Sequence, residues 1–243
     1  KQILKISDDT GVTDIVIDPA NPDVVLAAAW QRRRHFYTLV NGGAESALHK
    51  STDGGATWRK ITGGLPAGQL GRIGLAASAA QTGLVYARVE AAVRSAGGIF
   101  RSTDFGDSWT KQNSFDGQLP MYYGQVIADP KDANRIYLAD TVMRISEDGG
   151  KSIRALGDQN KHVDSHTVWI DPEHTEHILV GCDGGIYESW DRGQLWQYKA
   201  NLPTVQFYDI TVDNSKPFYY VYGGTQDNAT WGGPSRTKSS AGI

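Results

Sequence analysis

The sequence predicts an all-β chain: a β-propeller arc of four-stranded antiparallel blades. Three observations predict it. A hairpin motif recurs four times, a second motif recurs in phase with it, and helical periodicity is absent over any long window. The hairpin motif is S-x-D-x-G-x-x-W. It stands as STDGGATW at 51–58, STDFGDSW at 102–109, SEDGGKSI at 146–153 and SWDRGQLW at 189–196, with Ile153 in the third Trp position. Starts 51, 44 and 43 residues apart match a unit of four short strands. The second motif is an apolar run closed by Asp-Pro: IVIDP at 15–19, VIADP at 126–130 and VWIDP at 168–172. A new apolar run follows each within a few residues, at 24–26, 136–138 and 178–180.

Each unit therefore reads as follows. Strand one ends at Asp-Pro, strand two is the next apolar run, strand three leads into the S-x-D-x-G turn, and strand four starts near the Trp. The blades fall at about 12–62, 70–112, 122–156 and 164–200. Residues 73–86 keep the pattern of the second blade without its Asp-Pro. A partial blade covers 207–243: ITVD at 210–213 starts it, 218–222 is its second strand, and the Gly-rich stretch beyond holds no further hairpin motif. Residues 1–6 read as an orphan strand, either the last strand of a preceding blade or one that closes a five-bladed ring. The expectation is an incomplete segment of a larger propeller. Its uncovered blade faces would cost roughly 25 cal/mol per Å² of apolar surface and would call for the rest of a propeller or a partner chain.

Composition narrows the function. Among 243 residues, 40% are hydrophobic and 21% charged, which supports a packed core and excludes a disordered chain. A net charge of −3 argues against a nucleic-acid binder. One cysteine, Cys182, excludes an internal disulfide framework, and no apolar run approaches the roughly 18 residues of a membrane span.

The repeated hairpin reads as scaffold. Asp53, Asp104, Asp148 and Asp191 can accept backbone N–H groups across their own turns. Gly55, Gly106, Gly150 and Gly193 supply a positive φ. Ser51, Ser102, Ser146 and Ser189 tie the arms, and Trp58, Trp109 and Trp196 fill the wedges between blades. Strand direction alternates, so these hairpins and the Asp-Pro turns share one face. Ligands are then expected on the other face, over the channel, where the two-to-three loops and the blade links emerge.

Three clusters are expected there. The first two-to-three loop, 30–48, carries Arg32, Arg33, Arg34 and Tyr37. The arginines read either as an anion clamp or as a charge run with packed stems and solvated heads, and Arg72, Arg88 and Arg94 are available to join them. The second cluster is His162-Val163-Asp164-Ser165-His166. Alternation puts His162, Asp164 and His166 on one side of a strand, either as a metal site or as a hydrogen-bonded cluster lining the channel. The third is rich in aromatics and amides: Tyr122, Tyr123, Gln206, Tyr208 and Gln226, with Trp231 near by, suited to sugar rings or peptide backbone. Carboxylates available for general acid–base work are Glu90, Asp140, Asp164, Asp183 and Asp227.

The four hairpins closely resemble the Asp-box, or bacterial neuraminidase, repeat. The wider wording resembles the sortilin/Vps10 branch and its bacterial glycosidase-like relatives, through WQRRR at 30–34, GGIYES at 184–189 and GGTQDN at 223–228. The resemblance covers most of the chain and is specific for fold. It implies an extracytoplasmic or secreted module that recognises a protein, peptide or glycan on the face opposite the boxes. A sialidase- or xyloglucanase-like hydrolase is its alternative, and a metal site at His162, Asp164 and His166 a third reading. No cofactor and no nucleic acid are expected.

Overall fold

A computed structural model describes residues 2–202 and 205–237. Five antiparallel sheets follow one another along the chain. The first holds β1 (Thr10–Asp18), β2 (Asn21–His35), β3 (Thr38–Asn41), β4 (Ala47–Ser51) and β5 (Arg59–Ile61). The second holds β6 (Leu70–Ala77), β7 (Val85–Ala91), β8 (Gly98–Ser102) and β9 (Thr110–Asn113). The third holds β10 (Val126–Ala128), β11 (Ile136–Leu138), β12 (Arg144–Ser146) and β13 (Arg154–Ala155). The fourth holds β14 (Ser165–Ile170), β15 (Ile178–Cys182), β16 (Gly185–Ser189) and β17 (Gln197–Tyr198). The fifth holds β18 (Phe207–Val212), β19 (Tyr220–Thr225) and β20 (Thr230–Pro234). Among the described residues the only helical segment is the single 3₁₀ turn Arg94–Ala96.

Alternation along each strand divides its apolar residues between two neighbours, so the core is a series of inter-blade layers. Leu26, Ala28 and Leu48 meet Ile73, Leu75, Val85 and Ala87 between the first two blades. Residues one step along, Ala76, Tyr86 and Ile99, meet Val126, Ile136 and Leu138 between the second and third. Tyr137, Met143 and Ile145 meet Val168, Ile170, Ile178 and Val180 between the third and fourth. The outer faces of the first and fifth sheets bear exposed Ile15, Ile17, Ile210 and Val212.

The recurring hairpins have one geometry. Two successive residues take positive φ: Gly54 and Gly55, Phe105 and Gly106, Gly149 and Gly150, Arg192 and Gly193. Each serine hydroxyl accepts the N–H of the second of these, 2.7–2.8 Å away, and donates to its aspartate at 2.7–2.8 Å. Each turn also reaches the strand-one-to-two turn of its own blade. Gly54 N donates to Asp23 O, Phe105 N to Gly83 O, Gly149 N to Asn134 O and Arg192 N to Glu176 O, at 2.8–3.0 Å. The two sets of turns therefore share a face, as strand alternation requires. A Cβ at Gly106 would lie 2.9 Å from Leu26, and one at Gly150 2.7 Å from Ile99, so the preceding blade also demands glycine there.

The aspartates are strongly acidic. Hydrogen bonds from the hydroxyls and amides of Thr57 and Ser152 hold Asp53 and Asp148 at about 2. Asp104, partly desolvated, is drawn to about 2 by Ser108 and Ser102. Leu195 offers no hydroxyl to Asp191, whose lowering against burial rests on backbone amides and Ser189. Folded-state pKa values below the usual 3.8 stabilise the fold above pH 4, and that contribution is lost as pH falls toward 2. Asp148→Asn should lower stability at pH 7, and the deficit against wild type should shrink between pH 4 and 2. Denaturant midpoints across that window check it; a constant deficit would refute it.

Three expectations change. The 30–48 loop is a projecting hairpin: β2 runs on to His35 and β3 folds back on it, pairing Arg32 with Asn41 and His35 with Thr38. In the fifth sheet the second strand is Tyr220–Thr225, and the Gly-rich stretch supplies a third strand. Its glycines make room for rings, since a Cβ at Gly232 would lie 2.7 Å from Tyr222 and one at Gly223 2.4 Å from Phe207. The orphan strand expected at 1–6 begins on Lys1, outside the described residues, and 2–6 form no strand. Ile3 instead packs at Gly55 and Trp58, in the place that Leu26 takes at Gly106 and Trp109 one blade on. The end of the partial blade at 238–243 and part of the 201–208 link, 203–204, also lie outside the described residues.

Candidate functional site

The face opposite the hairpin turns is built from two-to-three loops and blade links. Its densest polar cluster lies where the third, fourth and fifth blades meet. Tyr123 donates its hydroxyl to Asp164 at 2.6 Å. His166 Nε2 lies 2.9 Å from Asp183 Oδ1, and the His166 and Tyr123 ring centroids are 5.1 Å apart. Asn228 Nδ2 donates to Asp183 O at 2.9 Å, and His162 Nε2 lies 3.1 Å from Asp227 O. Burial pushes the Asp183 carboxyl up, His166 draws it back, and the charges of Asp164 and Asp227 raise it further. Burial and Asp164 together push Tyr123 above the ordinary phenol range.

A cleft of about 450 Å³ opens beside this cluster, lined by Asp183, Tyr198, Lys199, Gln206, Gln226 and Asn228, with Trp231 at its wall. Trp231 is well exposed. Tyr208 is 70% exposed and stands outside this lining. Gln226 N donates to Gln206 O at 2.9 Å, which joins the fourth-to-fifth blade link to the β19–β20 turn.

The structure does not gather His162, Asp164 and His166 into one group. No group of three His, Cys, Asp or Glu side chains suited to a metal ion occurs among the described residues. The physical reason is backbone. Asp164 takes φ 60°, β14 begins only at Ser165, and the alternation that would align the three side chains is broken. His162 turns to Asp227, Asp164 to Tyr123 and His166 to Asp183.

Asp140 is likewise removed from the carboxylate candidates. Its side chain is 2% exposed and lies 2.7 Å from the Arg88 guanidinium, itself 1% exposed. Arg88 also donates to Ala139 O at 2.6 Å and to Asp116 O. Glu90 lies elsewhere, at the junction of the first two blades, accepting Arg72 N at 3.0 Å and Asn41 Nδ2 at 3.1 Å. Burial raises its pKa.

The arginine triplet splits. Arg33 pairs with Asp9. Arg32 stacks over Trp30, its Cζ 5.0 Å from the ring centroid, and Arg34 Nη1 lies 3.5 Å from the Tyr122 hydroxyl. Of the reserve arginines, Arg88 is spent on Asp140 and Arg94 on Asp116, at 2.7 Å each. Arg72 remains, donating to Met121 O and Tyr122 O at 3.1 Å.

No protein-family model matches the chain. It is 27% identical over 231 residues to xyloglucanase Xgh74A of Acetivibrio thermocellus, a match covering 83% of this chain and 26% of that protein. It is 25% identical over 252 residues to a xyloglucanase of Hypocrea jecorina, covering 88% and 28% respectively. Among solved structures, a GH74 xyloglucanase from Xanthomonas campestris superposes with a TM-score of 0.55 at 18% identity, covering 91% of this chain and 36% of that one. YCF48 from Cyanidioschyzon merolae superposes at 0.53 and 13% identity, covering 96% and 74%. The fold is a β-propeller. Its sequence relatives are glycosidase-like, and the chain spans about a quarter of the length of the curated relatives it matches.

In this propeller, several lining residues escape sequence reasoning. Tyr198 and Lys199 sit just past the fourth hairpin and read as strand flank. Asp116 lies in a blade link and takes its partner, Arg94, from a separate loop, and buried Lys161 donates to Ser165 Oγ at 2.9 Å. No helix is long and apolar enough to cross a membrane among the described residues.

Proposed function

We propose that this chain is part of a larger Asp-box propeller of the sortilin/Vps10 and bacterial glycosidase-like kind, working outside the cytoplasm, and that it recognises a glycan. The blades are those expected at about 12–62, 70–112, 122–156, 164–200 and 207–243. Further blades or a partner chain cover the apolar outer faces around Ile15, Ile17, Ile210 and Val212. The carrying observation is the 450 Å³ cleft, where an exposed indole, a phenol ring and several side-chain amides face one space. Aromatic faces stack on sugar rings, and amides exchange hydrogen bonds with hydroxyl groups. The xyloglucanase relatives point to plant-type β-glucans as the first ligands to try.

Isothermal titration with xyloglucan oligosaccharides and a panel of other neutral oligosaccharides tests this. Trp231→Ala should weaken binding roughly tenfold. Absence of binding across the panel would overturn the reading.

Hydrolysis is the second reading, favoured by Asp183. A glycosidase needs one carboxyl that holds its proton and one that stays ionised. Asp183 is held up by burial, and Asp164, which accepts the Tyr123 hydroxyl, is the second carboxyl beside it. Asp183→Asn should abolish release of reducing ends while sparing affinity. Wild-type protein that binds but releases none would leave recognition alone.

A further inference from the structure

We propose that Arg32, Arg34 and Arg72 form a subsite for the carboxylate or sulfate of an acidic glycan, so that the sugar chain recognised on this face carries negative charge. The proposal rests on the glycan reading above and adds a substrate class to it.

The geometry begins with β2. Alternation along its extension sends Arg32 and Arg34 to one side and Arg33 to the other. Arg33 is neutralised by Asp9, whereas Arg32 and Arg34 have no carboxylate within ion-pair distance among the described residues. The neighbouring blade delivers Arg72 to the same place. Arg32 and Arg72 both lie over the Trp30 ring, with Cζ at 5.0 and 5.8 Å from its centroid. Arg34 and Arg72 both reach Tyr122, one at its hydroxyl (3.5 Å) and one at its carbonyl (3.1 Å). Two carboxylates influence Arg72, and neither pairs with it. Glu90 accepts Arg72 N and Asn41 Nδ2, and Asp14 accepts Leu75 N at 2.8 Å. Burial holds the Arg72 guanidinium below its ordinary range; the charges of Asp14 and Glu90 work against this and that of Arg32 adds to it.

Three guanidinium groups from two blades thus lie around Trp30 and Tyr122, and among the described residues none of them forms an ion pair. Planar forks match the paired oxygens of a carboxylate or sulfate, and a partly desolvated fork binds them more strongly than a solvated one. The hairpin tip supplies the sugar-facing element. Phe36 and Tyr37 are exposed there, and the His35 and Tyr37 rings stack at 5.3 Å. A net charge of −3 repels anions in general, so attraction must be local to this patch.

The test compares a glucuronate-bearing xylo-oligosaccharide, the same oligosaccharide with its carboxyl reduced to an alcohol, and a sulfate-ester version, each titrated into the intact chain. One or both charged forms should bind about tenfold more tightly than the neutral form, and the stronger of them identifies the anion. Arg34→Gln and Arg32→Gln should each erase most of that preference, while Arg33→Gln, on the opposite side, should keep it. Equal affinity of charged and neutral forms would overturn the subsite and leave the glycan reading standing. Failure of all three to bind would overturn the subsite, while the neutral oligosaccharide panel decides the glycan reading separately. A preference that survives Arg34→Gln and Arg32→Gln would place the anion elsewhere. Poly-glutamate that binds with Arg34 dependence, while the glycans show no charge preference, would reassign the patch to acidic peptides.

Discussion

Asp140→Ala is expected to destabilise the chain by about 3–5 kcal/mol. The reason is the partner left behind. Arg88, on β7 of the second blade, is buried and meets Asp140, just past β11 of the third. Burial is the largest cause that depresses the Arg88 pKa, with the like charge of Arg72 adding to it, and Asp140 is the main compensation. Removing the carboxylate strands a charge between two blades. Gly117 is part of this arrangement, because a Cβ there would lie 1.7 Å from Arg88 Nη2 and 2.5 Å from Asp140 Oδ2. Urea unfolding of Asp140→Ala measures the loss. Replacing both partners, as Arg88→Met with Asp140→Leu, should recover most of it, because desolvation consumes most of what the pair gains. A single variant within 1 kcal/mol of wild type would refute the account. Glycan affinity per folded molecule should be unchanged.

Trp109→Ala should cost a similar amount, about 3–5 kcal/mol. Its indole packs with Leu26, Phe105 and Leu75 between the first two blades, and its Nε1 donates to Gly106 O at 3.1 Å. Truncation opens a cavity that Gly106, held at φ 87°, cannot collapse into. Trp58 makes the same bond at 3.1 Å to Gly55 O, yet is only half-buried with Ile3 as its cover. Trp58→Ala should therefore cost clearly less. Chemical denaturation of the two variants side by side gives the comparison, and equal losses would show that the inter-blade layer is not what the indole secures.

The register of the hairpins is legible because it is local. A serine, an aspartate two residues on and a glycine two further can satisfy one another within a single turn, so the four copies announce themselves. The Asp-Pro runs then place strands one and two, and strand alternation decides which turns share a face. Trp30, Arg32 and Arg34 show where that local logic ends. Their spacing suggested a loop, whereas cross-strand pairing with 38–41 makes a hairpin that sends Arg33 away from its neighbours. Asp164 fails in the same manner, since one left-handed residue cancels an alternation that the letters HVDSH imply.

By itself, then, the sequence determined the repeating blade, the scaffold role of its four aspartates and which turns share a face. All of these follow from hydrogen bonds and periodicities spanning fewer than about ten residues. Only the tertiary structure decided that Asp140 belongs to a buried ion pair, that Asn228 reaches Asp183, and that Arg32 and Arg72 lie over one indole ring. Those relations cross from one blade to the next. They depend on how far each sheet is turned against its neighbour and on which charges that turn leaves in water.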